Sequence, residues 1–345
     1  MKVAIWGSYN YGNYGDDLMA IQFAKEFQKL GADPYVYRLD YQLAKRYAVK
    51  TTNSLEELFD RTKFCILGGG GVLGGGTTVL EEDFRELQLI SSSHKCPIFP
   101  ISVGGDGGGT DTILSTSRRE FWQGDTCQLS TVRLKEDVAL IDKLGKKAVY
   151  YPDVLWTVSD FWQVPPKSQS NEQLQVGINI PDSTSGRFLA FQLNAIAAAR
   201  KDIVFHFIRT YLPNYSVNYE LLPKINSPYI KHHIYTDPDA TLKFLASLDL
   251  VVSYKLHLGL TALALNVPFF SVGGQGKTLA QMKSINADRA ILPAKAKNIK
   301  LGMFFAKASN VRNAKTKTDF ATIAQHKQLS WGHMHQLEKL VNQYN

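Results

Sequence analysis

A lysine and a histidine follow a short apolar run in the second half of the chain, where they could act on an anion. The run Leu250–Ser253 is apolar and β-branched, and an Ala/Leu-rich segment separates it from Pro268. This pattern predicts a strand, a helix and a second strand. In parallel sheets, ligands bind at the carboxyl ends of the strands. We therefore expect Lys255 and His257 to lie at a ligand-binding edge of the sheet. The imidazole titrates near neutrality and the lysine supplies fixed charge; a cap beside a solvated lysine is the alternative.

Two more segments in this half place basic residues where an anion could bind. The apolar run Ile203–Arg209 predicts a strand that ends in Arg209, whose guanidinium can fork onto a carboxylate or phosphate. The turn over residues 273–278 opens a helix, and it places Gln275 and Lys277 beside backbone N–H groups that can hold an anion. The glycine spacing of a nucleoside triphosphate loop is absent.

In the first half, the turn after the first predicted strand combines tyrosine, asparagine and aspartate. It supplies Tyr11, Asn13, Asp16 and Asp17, along with two further tyrosines. Aromatic rings pack on the CH faces of sugars, and carboxamides and carboxylates accept hydroxyl protons, so the turn favours a sugar over a pyrophosphate. The alternative role for Asp16 is to cap the helix that follows.

Glycine-rich turns follow two later predicted strands of this half. Residues 68–76 include seven glycines and residues 104–109 include five. Such turns let the backbone approach a ligand and point its N–H groups inward, with Gly69, Gly70 and Gly105 as candidates. A flexible tight turn is the alternative for some of these glycines.

Two charged residues, Arg133 and Asp153, end the last two predicted strands of this half. The carboxyl ends of parallel strands share one edge of a sheet. We therefore expect Arg133 and Asp153 to lie beside the glycine turns and to face a bound ligand.

The strand and helix pattern stops near residue 160 and then restarts. A segment rich in Pro, Ser, Gln and Asn separates the two parts and is the best candidate for a linker. We expect a Rossmann-like domain over residues 1–160 and a second one over residues 174–317. A helix over residues 318–345 is expected to pack back on the first domain, with a break near Gly332.

The 345-residue chain carries a net charge of +8, and this charge is concentrated in its second half. Residues 1–160 hold 18 Lys/Arg against 21 Asp/Glu, and the remainder holds 21 against 10. Residues 290–317 hold seven basic residues and no acidic one, which favours a solvated face. A lid over an anionic ligand and contact with an anionic membrane are the alternatives. No docking motif or aromatic interleaving indicates nucleic acid.

Composition also indicates the compartment. A hydrophobic content of 44% is that of a soluble globular protein, and no apolar run approaches the roughly 20 residues that span a bilayer. The chain enters a predicted strand directly, without the pattern of a signal peptide. Three widely separated cysteines fit neither a disulfide framework nor a zinc site, so we expect a cytoplasmic protein without a bound metal.

Several motifs occur in the same order as in the polysaccharide pyruvyl transferase family, which the chain resembles up to about residue 290. They are Gly12-Asn13-Tyr14-Gly15-Asp16-Asp17, the glycine stretch 68–73, Val103-Gly104-Gly105, Val132-Arg133, Tyr151-Pro152-Asp153, Lys255-Leu256-His257 with Pro268, and Lys277. The opening Asn-x-Gly-Asp and the basic-x-His segment are the specific parts. Where the family usually has arginine, this chain has Lys255, so a point charge replaces a bidentate fork.

The resemblance implies an α/β fold of two Rossmann-like domains that face each other across a cleft, as in B-type glycosyltransferases. It implies phosphoenolpyruvate as co-substrate without a further cofactor, and a sugar of a cell-surface glycan or exopolysaccharide, or a lipid-linked oligosaccharide, as acceptor. The product is a pyruvate ketal. On this basis we expect His257 to donate a proton to the donor and Asp16 to orient or deprotonate the acceptor. The basic half would hold the donor and the acidic half the sugar.

Two other functions fit the same residues. One is a glycosyltransferase of this fold that uses a nucleotide sugar, although no acidic pair is placed to bind the ribose and base. The other is a non-catalytic protein that binds sugars or anions, which the lysine at position 255 favours. The acceptor sugar, contact with the inner membrane surface and the oligomeric state stay open.

Overall fold

Two α/β units make up the chain in the computed structural model. The described residues are 1–74, 80–165, 173–215, 219–274, 276–287, 290–292, 303–305 and 307–345. The first unit comprises Met1–Gly12, Asp16–Thr157 and His326–Asn345, and the second comprises Asn13–Gly15 and Val158–Gln325. Gln275 lies outside the described residues, as do residues 293–302 and 306 of the basic segment 290–317.

Parallel strands form the central layer of the first unit. They are β1 (Lys2–Trp6), β2 (Asp33–Tyr37), β3 (Lys50–Thr52), β4 (Cys65–Gly68) and β5 (Ile98–Ile101), in the order β3-β2-β1-β4-β5. A parallel pair, β6 (Ser130–Val132) and β7 (Ala148–Tyr150), continues beyond β5 through a parallel bridge between Val103 and Val132. The strand ends that the sequence predicted to carry ligand therefore share one edge.

Helices cover this layer. They are α1 (Tyr14–Lys29), α2 (Tyr41–Arg46), α3 (Leu55–Phe59), α4 (Glu81–Ser93), α5 (Thr116–Gln123) and α6 (Glu136–Lys143). The side chains of Asp40 and Ser54 accept backbone N–H groups at the starts of α2 and α3. Trp6, Phe84 and Trp122 are fully buried between the helices and the strands. Burial of side chains of this size contributes about 1.5–3 kcal/mol each.

The second unit contains another sheet of parallel strands. They are β8 (Leu174–Asn179), β9 (Ile203–Arg209), β10 (Ile230–Ile234), β11 (Leu250–Ser253), β12 (Phe269–Val272) and β13 (Ile291–Leu292), in the order β10-β9-β8-β11-β12-β13. The order reverses between β8 and β11, and in open parallel sheets ligands bind at the carboxyl ends of the strands at this switch point. The predicted α/β class with Rossmann-like units is thus confirmed.

Helices precede, separate and follow the strands of the second unit. They are α7 (Val158–Phe161), α8 (Thr184–Arg200), α9 (Pro238–Ala246), α10 (Leu256–Ala264), α11 (Gly276–Ser284) and α12 (Ala308–Ala314). The last helix, α13 (Phe320–Tyr344), belongs to the first unit from His326 onward. His206 Nε2, in the middle of β9, lies 2.7 Å from Gln175 Oε1. Within the described residues, each helix is too short or too polar to cross a membrane.

The last helix runs unbroken through Gly332, so the predicted break there is wrong. Gly332 instead serves close packing against the ring of Tyr151, because a Cβ atom on Gly332 would lie 2.2 Å from Tyr151 Cε1. Glycine costs a helix about 1 kcal/mol relative to alanine. The contact with Tyr151 explains why the helix carries glycine at this position.

One turn of the same helix places His333 inside the first unit. His333 is fully buried, with Nε2 3.0 Å from the carbonyl oxygen of Pro152 and Nδ1 2.8 Å from Thr131 Oγ1. Since a carbonyl only accepts, Nε2 carries the proton and Nδ1 accepts from the threonine hydroxyl. Burial lowers the pKa of His333 to about 3, so this imidazole is neutral in the folded protein.

We expect acid to destabilise the first unit through His333. The unfolded histidine has a pKa of about 6.5, and the folded one about 3. Between these values the unfolded chain binds more protons, so the free energy of unfolding falls as pH falls, by up to about 1.4 kcal/mol per unit. Thermal unfolding between pH 7 and 4.5 should show a weaker pH dependence for His333→Gln than for the wild type.

The matched control for this experiment is His335→Gln, an exposed histidine on the same helix. The thermal unfolding of His335→Gln should depend on pH as that of the wild type does. His206 and His233 of the second unit, whose pKa values burial lowers to about 4, contribute equally to all three proteins. An unchanged pH dependence in His333→Gln would contradict the assignment.

Candidate functional site

Three residues at the start of α1 belong to the second unit. The N–H of Tyr14 donates to the carbonyl of Thr210 (2.8 Å), and Asn13 forms an antiparallel bridge with Tyr211. Asn13 Oδ1 accepts the N–H of Gly15 (3.0 Å) at the start of the helix. Asn13, predicted to bind the acceptor, therefore caps α1 through its side chain.

Two of the three tyrosines in this turn lie in the interior, which corrects the expectation that all three line it for a sugar. Tyr14 is buried, its hydroxyl donates to Thr261 Oγ1 (3.0 Å), and its ring packs edge-on against Tyr235. Tyr9 is buried in the first unit and donates to the carbonyl of Gly68. Tyr11 is half-buried and remains the candidate for sugar packing.

The imidazole of His257 lies directly against the backbone of Gly15. His257 is the second residue of α10, immediately beyond the carboxyl end of β11. A Cβ atom on Gly15 would lie 2.0 Å from His257 Nδ1, so only glycine leaves room for the ring. The Asn-x-Gly turn and the basic-x-His segment, far apart in sequence, therefore meet at this point.

Lys255 lies at the same strand end, where it precedes α10. Its N–H donates to Ser253 Oγ (2.8 Å), and its Nζ donates to Tyr211 Oη (2.9 Å). Nζ also lies 4.7 Å from the ring centroid of Tyr211 and 5.1 Å from that of Tyr254. Burial raises the pKa of Tyr254, so its ring is a neutral aromatic partner of the ammonium.

A buried polar network ties three strand ends together around Glu220. Its carboxylate accepts from Asn179 Nδ2 (2.9 Å), Thr210 N (2.6 Å) and Thr210 Oγ1 (2.8 Å). Asn179 Oδ1 in turn accepts from Ser253 Oγ (2.8 Å). These four residues are at most 3% exposed. The carboxylate tolerates burial because neutral donors satisfy both of its oxygens.

The other cations predicted to bind the donor lie at this edge of the sheet. Arg209 ends β9 and is half-buried; its Nε is buried and has no hydrogen-bond partner among the described residues. Lys277 is the second residue of α11, after β12. With Lys255, these residues follow three strands of one sheet.

The two glycine-rich turns of the first unit bond to their own surroundings. The N–H of Gly69 donates to Ile101 O (2.8 Å), and that of Gly105 donates to Asp137 Oδ2 (2.8 Å). Because both N–H groups donate to the protein itself, the prediction that they point toward a ligand is wrong for Gly69 and Gly105. Gly69 and Gly70 have φ of +73° and +83°, which is the reason for glycine at both positions.

Arg133 and Asp153 pair with each other in the interior of the first unit, which corrects the prediction that they face a ligand. Arg133 Nη1 lies 2.9 Å from Asp153 Oδ2, and the two side chains are 1% and 0% exposed. Gly104 makes room for the arginine, because a Cβ atom there would lie 2.7 Å from Arg133 Nε. Opposite charges removed from water require this pairing.

The two aspartates at the start of α1 differ in exposure. Asp17 is fully buried, which corrects the prediction that it binds the acceptor. Asp16 is half-buried, and its Oδ1 lies 3.7 Å from the position of a Cβ atom on Gly70. Within the described residues, His, Cys, Asp and Glu form no group of three that could hold a metal ion.

Sequence comparison assigns the family. The model of the polysaccharide pyruvyl transferase family matches residues 13–276. The chain belongs to this family. No curated protein matches the sequence significantly. Proteins of this family are transferases of polysaccharide biosynthesis.

Solved structures show the fold of this family member. A putative UDP-N-acetylglucosamine 2-epimerase from Listeria monocytogenes has 10% identity and a TM-score of 0.61, with 97% of both chains covered. MnaA of S. aureus with UDP has 9% identity and 0.62, with 94% of both covered. Anabaena HepE with UDP and glucose has 11% identity and 0.59, with 99% of both covered. These likenesses confirm the predicted glycosyltransferase-type fold and concern the fold alone.

We expect Gly15→Ala to destabilise this pyruvyl transferase family protein. Alanine ordinarily stabilises a helix by about 1 kcal/mol relative to glycine, so the effect would be opposite to helix propensity. The new methyl group would overlap His257 Nδ1, and overpacking of this kind costs about 1–3 kcal/mol. Thermal unfolding of the single variant measures the loss. His257→Ala should relieve it in the double variant, so strictly additive losses would argue against the contact.

Proposed function

We propose that this protein transfers a pyruvyl group from phosphoenolpyruvate to a sugar of a cell-surface glycan, forming a ketal. The main support is the contact of His257 with Gly15 at the carboxyl edge of the second sheet, with Lys255 two residues before the histidine. A titratable imidazole beside a cation suits proton transfer to an anionic substrate. The family name describes the coarser reaction, pyruvyl transfer to a polysaccharide.

The donor suits the cations of the second unit. Phosphoenolpyruvate carries a carboxylate and a phosphate, and Arg209, Lys255 and Lys277 follow neighbouring or nearby strands of one sheet. Arginine and lysine at such positions bind these groups through charge-assisted hydrogen bonds. We assign this edge to the donor, together with Gln275, which precedes α11.

The proposed chemistry begins with a proton. Protonated His257 gives it to the methylene carbon of the donor, so that C2 becomes oxocarbenium-like. A sugar hydroxyl attacks C2 and loses its proton, and the C2–O bond to phosphate then breaks. A second hydroxyl of the same sugar attacks C2 and closes the ketal. One hydroxyl proton replaces the proton that His257 gave to carbon, and the other leaves with phosphate.

The acceptor suits the first residues of α1. Asp16 follows Gly15 in the chain, and we assign it to orient or deprotonate the attacking hydroxyl. Tyr11 would pack on the sugar. We further propose a cytoplasmic reaction on a lipid-linked oligosaccharide, with contact at the inner membrane surface.

The direct test is mass spectrometry of candidate oligosaccharides after incubation with the protein and phosphoenolpyruvate. The expected result is the gain of one pyruvyl unit less water, with release of one inorganic phosphate per product. UDP-sugars in place of phosphoenolpyruvate provide the comparison. Release of UDP with transfer of a sugar would contradict the proposal and establish a glycosyltransferase. Binding of both substrates without any product would indicate a non-catalytic protein.

We expect His257→Asn to lower kcat by about 10²–10⁴-fold, the usual contribution of a general acid. Asparagine is smaller than histidine, so it fits against Gly15 and leaves the cations of the donor site in place. The affinity for phosphoenolpyruvate, measured by calorimetry, should therefore change little. His94→Asn, which alters a histidine of the first unit, is the control. Turnover of His257→Asn near that of the wild type would remove His257 from this role.

A further inference from the structure

The contact between Lys255 and Tyr211 leaves two hydrogen-bond donors side by side. Lys255 Nζ donates to Tyr211 Oη over 2.9 Å, which uses one of the three ammonium protons. Within the described residues no carboxylate forms an ion pair with Lys255. The charge is therefore available to an anion from outside the protein.

The hydroxyl of Tyr211 has a proton to give. Because Oη accepts from Lys255, its own O–H points elsewhere, and no acceptor for it occurs among the described residues. Tyr211 is only 9% exposed. A buried hydroxyl that donates to nothing loses the free energy of a hydrogen bond, which a bound acceptor would restore.

Tyr211 is held in place from both sides. Its backbone bridges to Asn13, and the preceding residue, Thr210, donates twice to the buried carboxylate of Glu220. Lys255 is fixed by the bond from its N–H to Ser253. Both donor atoms are therefore positioned before any ligand binds, which lowers the entropy cost of binding.

We propose that Tyr211 and Lys255 together bind one carboxylate or phosphate group of the anionic donor. This inference rests on the proposed function and adds Tyr211 to its donor site. Two donor atoms 2.9 Å apart can reach two oxygens of one anionic group, as an arginine fork does. The tyrosine thus supplies the second hydrogen bond that a lysine alone, as a point charge, does not direct.

The first test is Tyr211→Phe, which removes only the hydroxyl and keeps the ring beside the ammonium. Calorimetry should show binding of phosphoenolpyruvate weakened by about tenfold or more, the effect of losing a hydrogen bond to a charged group. Tyr219→Phe is the matched control, because Tyr219 lies in the same connection but is 69% exposed. It should bind phosphoenolpyruvate as the wild type does.

The second test repeats Tyr211→Phe in a Lys255→Arg background. An arginine fork makes both hydrogen bonds by itself, so loss of the hydroxyl should then weaken binding less than about threefold. A merely structural role of Tyr211 would give the same loss in both backgrounds. Equal losses, or no loss in either, would overturn the proposal.

Inorganic phosphate and pyruvate distinguish the group that is bound. We call Lys255 and Tyr211 together the clamp. If the clamp binds one of these groups, Tyr211→Phe weakens the binding of that ligand and leaves the binding of the other unchanged. If the wild type binds either anion with this dependence on Tyr211 but does not bind phosphoenolpyruvate, the proposed function fails and the clamp stands. If the wild type binds phosphoenolpyruvate and Tyr211→Phe binds it equally well, only the clamp fails.

Discussion

A buried carboxylate holds the candidate donor site together. Glu220 can remain in the interior only while donors satisfy its oxygens, and these donors come from Asn179 and from both groups of Thr210. Through Asn179 the constraint reaches Ser253, and through Ser253 the backbone of Lys255. The ends of β8, β9 and β11 are thus fixed relative to one another. Among the described residues Oε2 of Glu220 depends on the N–H of Thr210, whereas Oε1 has two donors, so the backbone of Thr210 is the contact that the buried charge needs most.

Glycine is the second means by which this structure positions charged and titratable groups. The missing side chain of Gly15 leaves space for the ring of His257, and that of Gly104 for the guanidinium of Arg133. Gly332 does the same for the ring of Tyr151. In each case the glycine belongs to one element and the large side chain to another. The glycines that the sequence offered as a cradle for ligand therefore serve, in part, the packing of the protein's own residues.

Some strands could be predicted from the sequence residue by residue, because burial on both faces gives a short, continuous apolar run rich in β-branched residues. The apolar runs of β9 and β11 match Ile203–Arg209 and Leu250–Ser253 as predicted. Side-chain direction has no such signal. Arg133 and Asp153 lie at the predicted strand ends, yet they turn toward each other because an unpaired buried charge is costly. The helices α4 and α5 consist mostly of polar residues, and the sequence analysis did not predict them.

Glu220 and Tyr211 were likewise out of reach of sequence analysis. Both lie in the irregular connection between β9 and β10, where neither strand nor helix periodicity identifies which side chains turn inward. Their importance arises from hydrogen bonds to residues that are distant in sequence. When a motif contacts a buried residue of such a connection, the contact can be identified only from the three-dimensional structure.

The lysine at position 255 can match an arginine only if its surroundings supply what the ammonium lacks. A lysine stem has many rotamers, and fixing it costs up to about 2 kcal/mol in side-chain entropy. Here the ring of Tyr211, the ring of Tyr254 and the phenolic oxygen restrict the ammonium before a ligand arrives. That cost is met during folding, not during binding, so the proposed anion would gain affinity that a free lysine would not provide. In the proposed donor site, recognition would depend on the two tyrosines as much as on the charge.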